Sequence, residues 1–289
     1  MPDVVANGVR LHVVAMGEGA PTLVFVHGLL LDNHSSFYMT IAPAIAKSSR
    51  VLLYDLRGHG RSEQPPSGYA IADMVDDLRG IVDVLNGGER VVVVGHSFGG
   101  HVALRFALRY PERTAALILL EAHSGIAEFG AQMAQTLALT GDARDAKVVE
   151  LFGEWLARHS ARGHVDLDAP EASELSADGQ GTLKFAGRIK RRRQSALVVT
   201  AERLRDATSF VADISRVVPL TDGEIARIAC PVLAFYGEHS DIADQGERLA
   251  RQAPDCRLHV LAGAEHGVLF QSTQFVRATI IAWVAERFK

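Results

Sequence analysis

The chain has 289 residues, 48% of them hydrophobic, with 30 Lys and Arg against 34 Asp and Glu and a formal net charge of −4. That apolar content excludes a disordered chain, and the mild acidity argues against the basic face of a nucleic-acid binder. The length suits one large α/β domain with an insertion better than two equal domains. Two cysteines, Cys230 and Cys256, are too few for a disulfide framework, and neither has a CxxC or His/Cys metal-ligand neighbour. The opening MPDVVANGVRLHVV lacks the basic region and apolar core of a secretory leader, and no run of about 18 apolar residues could span a bilayer. A soluble cytoplasmic protein acting on a small molecule is expected, without nucleic-acid or membrane partners.

In chain order, residues 9–16 and 22–26 are short β-branched runs, and Asn7-Gly8 before the first has the composition of a tight turn with φ > 0. The pattern then becomes strand followed by helix. Residues 51–54 lead through a Gly-rich loop to an amphipathic stretch at 71–85. Residues 90–94 lead through Gly95 to a helix ending near Arg109, stopped by Pro111, and 115–120 is again wholly apolar. Parallel strands covered by helices on both faces read as such continuous runs. Repeated βα units predict a doubly wound, mostly parallel sheet.

After Glu121 the alternation stops for about a hundred residues. Residues 129–139, 146–159, 183–193 and 196–210 read as helices, with no convincing strand among them. The βα pattern resumes with a strand at 231–236, a helix at 245–252, a strand at 257–261 and a last helix at 273–288. The expected organisation is an α/β core from 1–122 and 222–289, split by a helical insertion at 123–221.

The sharpest chemical signal is Gly95-His96-Ser97-Phe98-Gly99-Gly100, a GxSxG between an apolar strand and a helix. At such a turn the serine must adopt positive φ, and glycines two before and two after remove the Cβ clashes that would forbid it. Ser97 would stand at the carboxyl edge of the sheet, above a helix N-terminus. A serine needs a base, and the base an orienting acid. His266, in the loop after the last predicted strand, is the expected base, with His239 its rival. Asp241 is the expected acid, because it follows a strand and falls between serine and histidine in chain order. Glu121, at the end of the neighbouring strand, is the alternative, and Asp244 and Glu238 are weaker ones. An oxyanion needs two preorganised donors. The backbone N–H groups of Phe98 and of Leu29, in Val26-His27-Gly28-Leu29, are assigned, with His27 bracing that loop and Gly28 letting backbone approach the substrate. The Asp55 to Ser62 segment reads as a self-hydrogen-bonded loop beside the site.

Together the HG of His27 and Gly28, the DxRGHGxS of Asp55 to Ser62, the GHSFGG of Gly95 to Gly100, the late Asp241 and His266 resemble the α/β-hydrolase fold superfamily over roughly residues 5–122 and 222–289. The resemblance implies an eight-stranded-type sheet and a cofactor-free, metal-free serine hydrolase with a helical cap, like carboxylesterases, carbon–carbon bond hydrolases and proline iminopeptidases. Haloalkane dehalogenases and epoxide hydrolases carry Asp at the elbow, where this chain has Ser97. Ester or thioester cleavage of a small, largely apolar substrate is therefore expected. The alternatives are C–C cleavage, elimination or cyclisation in the same site, and a ligand-sensing receptor. The acid motif departs from the commoner GxxD spacing, which keeps Glu121 in contention. In the insertion, Phe129, Met133, Phe152, Trp155, Leu156, Phe185 and Phe210 are candidates for a lid underside. The basic run Arg188, Lys190, Arg191, Arg192 and Arg193 would suit an acidic carrier protein if it is more than a solvated helix face.

Overall fold

The computed structural model describes residues 3–29, 32–124 and 203–288. Strands β1 (Asp3–Ala6) and β2 (Val9–Met16) form a hairpin across Asn7 and Gly8, with φ of 49° and 75°. Two successive positive φ values match the right-handed twist of the flanking strands, as the Asn-Gly pair predicts. The remaining strands are β3 (Thr22–Val26), β4 (Arg50–Tyr54), β5 (Val91–His96), β6 (Thr114–Leu120), β7 (Val232–Gly237) and β8 (Cys256–Leu261). They make one eight-stranded sheet in the order β1-β2-β4-β3-β5-β6-β7-β8. The first two strands are antiparallel and β3 to β8 run parallel.

The apolar runs are explained by what lies on each face. After the one-turn helices α1 (Ser35–Tyr38) and α2 (Ala42–Ile45) come α3 (Ile71–Asn86) and α4 (Phe98–Arg109), and Val91 and Val93 point into one core cluster with their Met74, Leu78, Val102 and Phe106. Val92 and Val94 point into the other, with Phe25, Ile280 and Trp283, the last two from the helix Thr273–Arg287. Both faces of β5 are thus dry, which is why its four valines show no polar alternation. The predicted doubly wound sheet is present, with boundaries within a few residues of expectation.

Sequence patterning missed β1 and the one-turn helices Ser35–Tyr38, Ala42–Ile45, Phe210–Ile214, Asp222–Ile225 and Val268–Gln271. Segments of four or five residues are too short to display a helical period. Most of the predicted insertion, including Phe129 to Phe185 and the basic run at 188–193, lies outside the described residues. Its two edges do meet: the Leu220 N–H donates to the Ser124 carbonyl at 2.9 Å. Phe210, expected among the lid aromatics, is fully buried against Tyr69 and His59 and belongs to the sheet's core. No helix among the described residues is long and apolar enough to cross a membrane.

A buried ion pair ties the β4 loop to α3. Arg57 Nε and Nη2 donate to Asp77 at 2.7 and 2.5 Å, with both side chains at most 4% exposed. Burial pushes the Asp77 carboxyl up even with the guanidinium beside it, so desolvation absorbs much of what the pairing supplies. Removing one partner would strand a buried charge, and Arg57→Ala should cost about 3–5 kcal/mol in chemical denaturation.

Three buried histidines set the pH response. Burial lowers His59 and His101 to about 4 and His123 to about 3, from an ordinary value of 6.5. Below 6.5 the unfolded chain takes up these protons and the folded one does not. Their contribution is therefore complete above pH 6.5 and drains away as pH falls toward 4, by at most about 1.4 kcal/mol per unit for each histidine. Denaturation at pH 7 and pH 5 should show this loss, and His101→Gln should reduce the slope by about one proton.

Candidate active site

The carboxyl edge of the sheet gathers the predicted residues. Ser97 is the turn between β5 and α4, with φ 53° and ψ −120°. Glycine flanks it because backbone fills the space where side chains would go. A Cβ at Gly95 would lie 2.6 Å from Gly100 Cα, and one at Gly99 would collide with the Val26 carbonyl. The turn is also pinned to β6: Ser97 N–H donates to Leu120 O at 3.0 Å, and His123 N–H donates to Ser97 O at 3.2 Å.

His266, in the loop between β8 and Val268–Gln271, places Nε2 3.2 Å from Ser97 Oγ. Glu121, directly after β6, places Oε2 3.2 Å from His266 Nδ1, an ion-pair approach outside hydrogen-bond alignment, and its side chain is fully buried. Asp241 Oδ1 lies 3.9 Å from the same nitrogen, with 82% of its side chain exposed. The fold thus brings Ser97, His266, Glu121 and Asp241 together. It does not bring His239, which is exposed with its N–H on the Ala264 carbonyl, nor Asp244, which is exposed. Glu238 accepts from Gly263 N–H at 2.9 Å and is spent on the loop after β8.

On the other side of Ser97 lies the loop after β3. A Cβ at Gly28 would stand 3.5 Å from Ser97 Cβ, so the HG segment lies against Ser97, with Leu29 next in chain and Phe98 opening α4. His27 is fully buried. Its Nε2 accepts from Leu56 N–H at 2.9 Å, which leaves the proton on Nδ1 to donate to Gly28 O at 2.6 Å. His27 is therefore a brace between two loops. The Asp55 loop is closed on itself: Asp55 Oδ2 accepts from Arg61 N–H at 2.9 Å, and Ser62 Oγ donates to Asp55 O at 2.5 Å.

Several features escaped sequence reading. Asp32 Oδ2 accepts from Gly28 N–H at 2.8 Å and faces His96 Nδ1 at 3.4 Å. Burial acts most strongly, to raise this carboxyl, but the hydrogen bonds from His96 and Gly28 and the nearby His27 and His96 together outweigh it, and the group is held well below the usual carboxylate range. The rings of His123 and His96 flank His266, with centroids 5.5 and 6.0 Å away. Ser240 Oγ donates to Glu121 Oε2 at 2.5 Å. Apart from Asp32 with Gly28, four residues away, these contacts join residues far apart in sequence and have no local motif.

The same is true of His12, His34 and Asp55, whose ligand atoms lie within 4.8 Å of one another and form the one group of metal-ligand type found among the described residues. Their side chains also bond one another and Asp3: His34 Nδ1 meets Asp55 Oδ1 at 2.7 Å, and His12 Nδ1 meets Asp3 Oδ1 at 3.3 Å. A cleft of about 570 Å³ between α3, α4 and residues 213–218 is lined by Val75, Arg105, Leu108 and Arg216. Neither Ser97 nor His266 lines it, so it is separate from the serine.

The model of the alpha/beta hydrolase fold matches residues 21–273. A 2-hydroxy-6-oxononadienedioate/2-hydroxy-6-oxononatrienedioate hydrolase of Pseudomonas putida is 26% identical over 264 residues, 89% of this chain and 85% of its own. A soluble epoxide hydrolase of Corynebacterium sp. (strain C12) is 36% identical over 124 residues, 43% of this chain and 42% of its own. The chain spans only 36% to 43% of the length of several such curated relatives. Among solved structures, the enol-lactonase from Burkholderia xenovorans LB400 superposes with a TM-score of 0.74 at 24% identity, over 98% of this chain and all of that one. With a family match across most of its length and the sheet, elbow and edge loops in place, the chain belongs to the α/β-hydrolase fold family.

Proposed function

We propose that the chain is a serine hydrolase that cleaves an ester-type bond, carboxylic ester or thioester, in a small and largely apolar substrate. The observation that carries this reading is the 3.2 Å approach of His266 Nε2 to the Oγ of a serine held at positive φ. A serine hydroxyl is a weak nucleophile until a base within hydrogen-bond reach takes its proton. Ser97 Oγ attacks the carbonyl carbon while its proton passes to His266 Nε2. A carboxylate on the Nδ1 side holds the ring and favours the imidazolium that forms. The backbone N–H groups of Phe98 and Leu29 receive the oxyanion, helped by the positive end of α4. Collapse of the tetrahedral adduct expels the leaving group, which takes the proton from His266, and leaves an acyl-Ser97. Water activated by the same imidazole then releases the acid.

A second reading is favoured by the P. putida relative, whose alignment covers most of both chains: hydrolysis of a carbon–carbon bond with the same residues. The sequence alignment with the Corynebacterium epoxide hydrolase spans 43% of this chain and 42% of that one, and this chain carries Ser97, not Asp, at the elbow.

A fluorophosphonate probe should label Ser97, and Ser97→Ala should abolish labelling and lower kcat at least about 10³-fold with an unchanged melting curve. Unaltered turnover in the alanine variant would remove the nucleophile from the proposal. The two readings part on rapid mixing. A p-nitrophenyl ester should give a burst equal to the enzyme concentration if an acyl enzyme accumulates, whereas faster turnover of a vinylogous 1,5-diketone than of any ester in a chain-length panel would favour C–C cleavage.

A further inference from the structure

Two carboxylates face His266 Nδ1, and they differ in every physical respect. Glu121 leaves β6 with φ 50°, in the left-handed region, and is held there from three directions. Its own N–H donates to Phe235 O at 2.9 Å, its Oε1 accepts from Gly237 N–H, and its Oε2 accepts from Ser240 Oγ at 2.5 Å. The end of β7 and the loop after it therefore close over the carboxylate and fix its rotamer. Asp241, one residue past Ser240, makes no hydrogen bond among the described residues and meets His266 only at 3.9 Å with its side chain largely in solvent. An exposed pair of that kind is screened by water and contributes little. A carboxylate with no solvent exposure acts at low dielectric, where the same charge has a much larger effect on the imidazole. Strained backbone persists only where surrounding structure over-determines it, and such strain concentrates at functional sites.

We propose that Glu121 is the positioning residue that orients His266, that Ser240 fixes Glu121 in turn, and that Asp241 is dispensable; the assignment rests on reading Ser97 and His266 as nucleophile and base. Glu121 sets the Nδ1–H tautomer that leaves Nε2 free to accept the Ser97 proton, and Ser240 removes the rotameric freedom that would let the carboxylate swing away. The charged and titratable groups that surround the ring are Glu121 from β6, Asp241 from the β7 loop, His123 after β6 and His96 at the end of β5.

The test compares wild type with Glu121→Gln, Asp241→Asn and Ser240→Ala. Hydrolysis of p-nitrophenyl acetate is followed from pH 5 to 9, beside fluorophosphonate labelling and thermal melts. Glu121→Gln should lower kcat by about 10³ to 10⁴-fold with little change in KM. It should also move the acidic limb of kcat/KM to lower pH, because the protonated ring loses its counter-charge. A purely structural role would shift the melt and leave that limb in place, and would overturn the proposal. Ser240→Ala should lower kcat about tenfold, with KM near wild type. Asp241→Asn should stay within about threefold. A loss of about 30-fold or more in Asp241→Asn overturns the proposal whatever Glu121→Gln does, and because Asp241 is exposed, this arm holds even if the buried variant does not fold. Wild type that fails to label at Ser97 overturns the serine reading as well, whereas normal labelling with Asp241 as the sensitive position overturns the carboxylate assignment alone.

Discussion

The close passage of α4 beneath the backbone of β3 is the constraint on which the rest of the site depends. Gly99 lies so near the Val26 carbonyl that a methyl group would not fit, and Gly95 and Gly100 approach each other across the same turn. Only that proximity lets Ser97 hold φ 53° with its hydroxyl projecting above the sheet rather than into it. The packing that compensates for the strain is the core of the domain itself: Val102, Ala103 and Phe106 of α4 are buried against Val91 and Val93 of β5. Since interiors pack like organic crystals, displacing α4 by a methyl's width would move Oγ relative to His266 by a distance that matters for proton transfer. Fold stability and the geometry of Ser97 are one problem here.

Loops at the carboxyl edge carry backbone groups that no strand can pair, and the polar side chains around Ser97 serve mainly to satisfy them. His27 accepts from Leu56, Asp32 from Gly28 and Asn33, and Asp55 from His34 and Arg61. These residues look reactive in a list of titratable groups, yet their bonds are internal. Burial holds His59 and His101 neutral at physiological pH, consistent with parts that fix loops and do not exchange protons. His266 differs by facing the serine with one nitrogen and carboxylates with the other. Environment rather than residue type separates a brace from a base.

Reading the sequence recovered whatever local chemistry dictates. Long apolar runs gave seven of the eight strands, Asn7-Gly8 gave the first turn, and the glycine spacing around Ser97 gave the elbow, because each signal arises from residues within one element. The placement of the HG segment and His266 beside Ser97 was legible for a related reason: the carboxyl edge of a parallel sheet is reached only by loops that follow strands. What stayed hidden was contact between elements. Arg57 and Asp77 are twenty residues apart, Ser240 and Glu121 over a hundred, and no periodicity links them. The ranking of Asp241 above Glu121 drew on chain order, which says nothing of burial. A carboxylate directly after the apolar run at 115–120 was the available clue, since a charge at the end of a strand with both faces covered must find partners at once.

That placement has a consequence for how the site is assembled. In the parallel register of β5 and β6, Gly95 pairs with Leu119 and His96 with Leu120, so the next residues, Ser97 and Glu121, leave adjacent strands at the same level. Apart from Asn7 in the first hairpin, they are the non-glycine residues with positive φ among those described. Strands in a sheet lie about 4.8 Å apart, close enough for one imidazole to reach side chains rising from both. His266 does so, with Nε2 toward Ser97 and Nδ1 toward Glu121. The spacing of the two outer groups is thus set by strand register, the most rigid relation in the fold, and the loop after β7 has only to supply the Ser240 hydroxyl and close the carboxylate from water. Under the proposed assignment the acid leaves β6 and inherits the sheet's precision, where one carried by that loop alone would inherit the loop's freedom, and the backbone strain at Glu121 is the local cost of turning it toward the histidine.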